Sequence, residues 1–144
     1  MKTAKFKISI LNVLIVFFTS AFFIGCSKDD DGGPNDTGID VATGTFKGTL
    51  EINTGAGSTH HNAIITVSKV SNNQVKITAK SGEAYSQVTA KTIQVSTSGI
   101  EGEGVHGDDP QGYFMYEIAN KRLKVLTKET ANTDIAYGFE GAKQ

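Results

Sequence analysis

Three histidines, His60, His61 and His106, are the only side chains in this 144-residue chain whose ordinary titration range suits a general base near neutral pH. A serine or threonine nucleophile needs such a base within hydrogen-bond reach. His60 and His61 are adjacent, so an extended backbone points them to opposite faces and keeps them from lining one site. Neither Gly-x-Ser-x-Gly nor His-Glu-x-x-His occurs, and Gly55-Ala56-Gly57 lacks the lysine and the following helix of a phosphate loop. Glu101 and Glu103 have the spacing of two carboxylates on one strand face, as an acid and base pair requires, but flanking Gly102 and Gly104 favour an exposed strand or loop. One of His60 or His61 with His106, Asp108 or Asp109 would make a metal site only through loop closure. Their spacing matches no recognised ligand pattern, and solvated histidines are the simpler reading. A non-catalytic chain with no metal and no cofactor is the expectation.

The other chemically suggestive cluster is aromatic. In the run 113–118, alternation places Phe114, Tyr116 and Ile118 on one side and Tyr113, Met115 and Glu117 on the other. With Phe114 and Ile118 inward, Tyr113 and Met115 stand exposed beside the Asp108-Asp109-Pro110 loop, where glycan, apolar or protein ligands would stack on them. Plain packing on one side with incidental exposure on the other accounts for the same pattern. Tyr113 and Met115 are the candidate ligand contacts, and Tyr116 is a third candidate in case the strand's faces are reversed.

Cys26 is the only cysteine, so no intramolecular disulfide forms. It follows a cationic start, with Lys2, Lys5 and Lys7, and a 17-residue apolar run from Ile8 to Ile24 interrupted by Ser9, Asn12, Thr19 and Ser20. A permanent span needs about 20 apolar residues, so cleavage is the better reading. Phe23-Ile24-Gly25-Cys26 resembles the lipobox of bacterial lipoproteins, with Phe23 where that motif usually has leucine. The resemblance implies that residues 1–25 are a signal peptide and that Cys26, lipidated, begins the mature chain and ties it to the membrane.

All 15 acidic residues follow Cys26, against 11 basic ones, which gives the mature chain a net charge of −4. Much of that excess lies in the polar, Gly- and Pro-containing run after the cysteine, which has too little apolar surface to order itself and reads as a tether over residues 26–42. Its first part, Ser27, Lys28, Asp29, Asp30 and Asp31, resembles the acidic export signal of surface lipoproteins of the Bacteroidota. That resemblance implies an outer-membrane protein facing the cell exterior. Adjacent carboxylates lack the alternate-residue spacing of a calcium loop. Residues 41–144 balance 10 acidic with 10 basic side chains, which argues against a nucleic-acid surface.

Beyond residue 41 the hydrophobic pattern becomes alternating. Residues 45–53 put Phe46, Gly48, Leu50 and Ile52 on one face and Thr45, Lys47, Thr49, Glu51 and Asn53 on the other. The pattern recurs over 62–70, 74–79, 91–97, 113–118, 122–128 and 134–140, and less clearly over 85–88 and 100–106. Turn residues such as Ser71-Asn72-Asn73, Ser81-Gly82 and Asn120-Lys121 separate the runs, and no helical stretch intervenes, so successive strands should pair in antiparallel hairpins. About eight short strands in residues 43–144 predict an all-β domain, a small antiparallel up-and-down barrel, with a β-sandwich as the alternative. Closure removes the open edges that a small secreted sheet otherwise has to guard, and the chain has neither tryptophan nor a cysteine pair for an immunoglobulin core.

Gly44-Thr45-Phe46, opening the first strand, resembles the Gly-x-Trp start of lipocalin and related calycin barrels, with Phe46 in the place of tryptophan. The terminal run 135–144 is similar to the closing strand of small bacterial lipocalin-like lipoprotein domains. The resemblance implies a barrel with Phe46 as an aromatic plug. Two functions fit: a binding module for a glycan, lipid or other small molecule, or an envelope subunit that meets another protein through a barrel filled by side chains.

Overall fold

A computed structural model describes residues 38–53, 56–97 and 104–144. The signal peptide, Cys26, the run Ser27, Lys28, Asp29, Asp30 and Asp31, and also Gly55, Glu101 and Glu103, lie outside the described residues.

The strands are β1 (Gly44–Ile52), β2 (Ser58–Ser71), β3 (Gln74–Ala79), β4 (Lys91–Gln94), β5 (Ser96–Thr97), β6 (Gly104–Asp108), β7 (Gly112–Glu117), β8 (Arg122–Thr127) and β9 (Tyr137–Lys143). They form one antiparallel sheet in the order β4-β3-β2-β1-β9-β8-β7-β6-β5. Its two edge strands, β4 and β5, are halves of a single run that breaks at Val95, where the Val95 N–H donates to the Asn73 carbonyl at 2.8 Å. The first half pairs with β3 and the second with β6, so the run carries the sheet round on itself into a nearly closed barrel. Three contacts close the remaining seam. The Gln94 N–H donates to the Asp109 carbonyl at 3.2 Å, Ile93 bridges to Pro110, and the Thr92 N–H donates to the Gln111 side chain at 2.7 Å. Among the described residues, with β4 and β5 counted as one run, the topology is an eight-stranded up-and-down meander, and a single sheet leaves no place there for the sandwich alternative.

Alternation positions the core. Phe46, Leu50, Ile65, Val75, Ile77, Ile93, Leu123 and Val125 are all fully buried. An eight-stranded barrel is just wide enough for such side chains, and Phe114, Tyr116, Tyr137 and Phe139 also point inward and are buried. Phe46 meets the ring of Tyr116 edge-on, with centroids 5.7 Å apart.

Two devices bend the sheet. Leu50 pairs with His60 and Gly48 with Ala63, so Thr49 faces two residues of β2, and Asn62 absorbs the extra residue in a left-handed conformation at φ 59°. At the same place β9 crosses close to β1. A Cβ on Gly48 would lie 2.0 Å from the Glu140 carbonyl oxygen and 2.4 Å from the Gly141 Cα, so only glycine permits the approach.

Four sequence expectations are corrected. Residues 39–42, assigned to the tether, form a 3-10 turn (Ile39–Ala42) whose Ile39 and Ala42 are buried against the core. Residues 85–88 form no strand, although Tyr85 and Val88 are buried and the Tyr85 hydroxyl accepts the Ile64 N–H at 2.9 Å. That segment is a cap, and its apolar pattern reports burial rather than sheet pairing. The run 91–97 is broken because its halves serve different neighbours. The last strand starts at Tyr137 rather than at residue 134, because Asp134 is drawn to Lys91, 2.6 Å away.

Lysines close both barrel ends. At the end where β1 begins, Lys143 is the register partner of Phe46 and donates to the Val41 carbonyl at 3.0 Å. At the opposite end Lys91, wholly buried, reaches Asp134. Asp134 also accepts the Thr130 N–H at 2.9 Å and the Thr130 hydroxyl at 2.6 Å.

Candidate binding site

The outward residues of β7, β8, β9 and β1 form the candidate site, and register decides which of them are neighbours. Tyr113 pairs with Leu126, Met115 with Lys124 and Glu117 with Arg122. Across the next ladder Leu126 pairs with Gly138 and Lys124 with Glu140, and beyond that Gly138 meets Glu51 and Glu140 meets Thr49. One row across the outer wall therefore reads Tyr113, Leu126, Gly138, Glu51, and the adjacent row reads Met115, Lys124, Glu140, Thr49. Gly138 carries no side chain, so the wall dips there between Leu126 and Glu51.

Two open concavities occupy this wall. One, of about 510 Å³, is lined by Thr49, Glu51, Arg122, Lys124, Leu126, Gly138, Phe139 and Glu140. The second, of about 560 Å³, is lined by Met115, Glu117, Asn120, Arg122, Leu123, Lys124 and Glu140. Arg122, Lys124 and Glu140 are common to both, which makes them one trough. Arg122 and Glu140 form an exposed ion pair across β8 and β9, and Asn120 donates to Glu117 at 3.0 Å. Leu126 is 47% and Tyr113 36% exposed, and the Tyr113 hydroxyl donates to the Met115 sulfur at 3.3 Å. The trough thus offers an ion pair, an ammonium, a carboxylate and a hydroxyl beside an apolar strip.

Of the residues singled out from sequence, Tyr113 and Met115 stand together on the outer face. Tyr116 does not join them. It is 2% exposed and packs on Phe46, because its odd-numbered neighbours face outward and its ring fills the barrel, so it is withdrawn as a surface contact. Burial pushes the phenols of Tyr116 and Tyr137 above their ordinary titration range.

The histidines are dispersed. His61 lies 3.4 Å from the Thr49 hydroxyl, whereas the His60 ring lies tilted against Tyr85, with centroids 5.5 Å apart, and contacts the Ser58 hydroxyl at 3.1 Å. His106 is the register partner of Met115. Among the described residues no carboxylate hydrogen-bonds to His60, and no group of three or more His, Cys, Asp or Glu side chains is arranged to hold a metal.

No family model, curated protein or solved structure matches the chain. Sequence reasoning passed over Arg122, Lys124, Leu126 and Glu140. Their outward positions in β8 and β9 follow from alternation, but alternation does not tell that the last strand lies between β8 and β1.

Proposed function

We propose that this chain is a lipid-anchored lipoprotein of the bacterial envelope whose small lipocalin-like barrel binds a glycan or similar small polar molecule on its outer wall, without catalysis. The lipid on Cys26 ties it to the outer membrane, and the acidic run Ser27, Lys28, Asp29, Asp30 and Asp31 directs it to the cell exterior. The observation that carries the binding reading is the trough beside Tyr113 and Leu126. Sugars present hydroxyls at their edges and C–H groups on their faces. Charged side chains held in place by their own pairing recognise the first, and an exposed tyrosine ring and leucine cover the second. The barrel interior is packed with aromatic and branched side chains, which supports a reading on the wall over one in the lumen.

Full-length protein purified in detergent and passed over immobilised glycans tests this. Retention should fall at least about tenfold in Tyr113→Ala and Leu126→Ala, each removing an exposed contact, while the melting temperature stays within the small range of surface substitutions. Parent and variants retained equally, or no glycan retained at all, rejects the reading. The anchoring part has a separate test: Cys26→Ser should lose incorporation of labelled fatty acid.

A second reading, an envelope subunit that meets another protein, is favoured by the packed interior. In that case crosslinking from the wall in intact cells recovers one defined partner, and no glycan competes with it.

A further inference from the structure

Met115 is the only methionine apart from Met1, and it stands on the outer face of β7, half-buried, lining the trough with Lys124 and Glu140. Its sulfur accepts the Tyr113 hydroxyl at 3.3 Å. A thioether at an open surface is a nucleophile toward peroxides. A donor already aimed at the sulfur has two effects: it ties up a lone pair of the thioether, and it stands ready to bond the far stronger acceptor that oxidation creates. Tyr113 is in turn the register partner of Leu126, whereas Met115 pairs with Lys124 in the adjacent row, so a polar oxygen on Met115 would arise at the border between the apolar strip and the charged row of the trough.

We infer that Met115 is a reversible oxidation site that controls the binding wall, an inference that rests on the outer-wall reading of function. A peroxide gives one oxygen atom to the sulfur. Its O–O bond breaks, an S–O bond forms, the sulfur is oxidised by two electrons, and the peroxide leaves as water or an alcohol. The Tyr113 hydroxyl then turns from the sulfur to the sulfoxide oxygen, so the ring that covered a ligand's apolar face is re-aimed and a polar oxygen borders it.

The full-length protein in detergent is treated with hydrogen peroxide beside free N-acetylmethionine in the same tube, and sulfoxide at Met115 is read by peptide mass. Met115 should oxidise at a rate within about tenfold of the free reference, and Tyr113→Phe should speed it about fivefold, the weight of one modest hydrogen bond. Methionine sulfoxide reductase should restore the parent mass. Glycans retained by the untreated protein should be released on oxidation, and Met115→Leu should be insensitive to the same treatment. Met115 remaining reduced while the reference is consumed, or an unchanged rate in Tyr113→Phe, overturns the site. Full sulfoxide with undiminished glycan retention overturns the control. If no glycan is retained before treatment, the outer-wall reading fails, and control of binding fails with it. The mass and rate measurements still decide whether Met115 is the oxidation site.

Discussion

Lys91 and Asp134, 43 residues apart in the chain, meet at 2.6 Å over one end of the barrel, the lysine side chain fully screened from water and the carboxylate 12% exposed. This pair pins the connection between β8 and β9 to the wall at β4. The Thr89 hydroxyl accepts the Ile135 N–H at 2.9 Å beside it, so two connections close that end together.

The pair makes stability depend on acid. Bonds from Lys91, then from the Thr130 hydroxyl and N–H, hold the Asp134 carboxyl well below the usual carboxylate range. A carboxylate depressed in the folded state contributes stability that is fully present above its unfolded value of about 4 and is lost as pH falls toward the folded value. The melting temperature should therefore hold steady from neutral pH to about 5 and drop below about 4. Asp134→Asn should melt lower at pH 7, because it leaves a buried ammonium without its counter-charge, and should lose much of that acid limb. Circular dichroism melts at stepped pH check both, and parallel curves for parent and variant would refute the assignment.

Phe46 should be among the costliest single truncations in the barrel. It is fully buried and edge-on to Tyr116, so Phe46→Ala removes a large side chain from a site that cannot collapse. A loss of about 3–5 kcal/mol is expected, a large part of a domain's total of about 5–15 kcal/mol. Urea unfolding measures it, and a loss below about 1 kcal/mol would mean that the plug repacks.

Gly48→Ala adds a single methyl and should still destabilise the fold, because the new carbon would lie 2.0 Å from the Glu140 carbonyl oxygen, on a backbone that cannot rotate away. The cost should reach about 1–3 kcal/mol, seen as a lower urea midpoint, whereas the same change at an open strand position is nearly neutral.

Tyr137→Phe should do the opposite. The Tyr137 hydroxyl is buried and has no hydrogen-bond partner among the described residues, so removing it relieves a desolvation penalty without creating a cavity. A gain of up to about 1 kcal/mol in the unfolding free energy is expected. A loss of similar size would show that the hydroxyl is bonded in solution.

Much of the barrel is written in local pattern. The alternation of Phe46, Leu50 and Ile52, of Val75 and Ile77, and of Leu123 and Val125 marks the inward faces, because a strand's side chains alternate whatever they pack against, and each of these residues is buried. Turn residues between the runs dictate hairpins, and hairpins dictate an antiparallel meander. Tyr113 outward and Phe114 inward follow from the same period of two.

What only the tertiary structure decided depends on contacts between distant parts of the chain. The break at Val95 exists because one run serves both edges of the closing sheet. Tyr85 and Val88 form a cap and not a strand: they are three positions apart, and turn hydrogen bonds bring both side chains inward where an extended run would point them to opposite faces. No sequence rule would bury Lys91, a residue type that stays exposed unless paired, because its partner stands 43 residues away. The trough has the same origin. Arg122, Lys124 and Glu140 are unremarked polar positions until closure lays β9 between β8 and β1, and the adjacency of first and last strands is a property of the closed barrel that no local stretch of residues encodes.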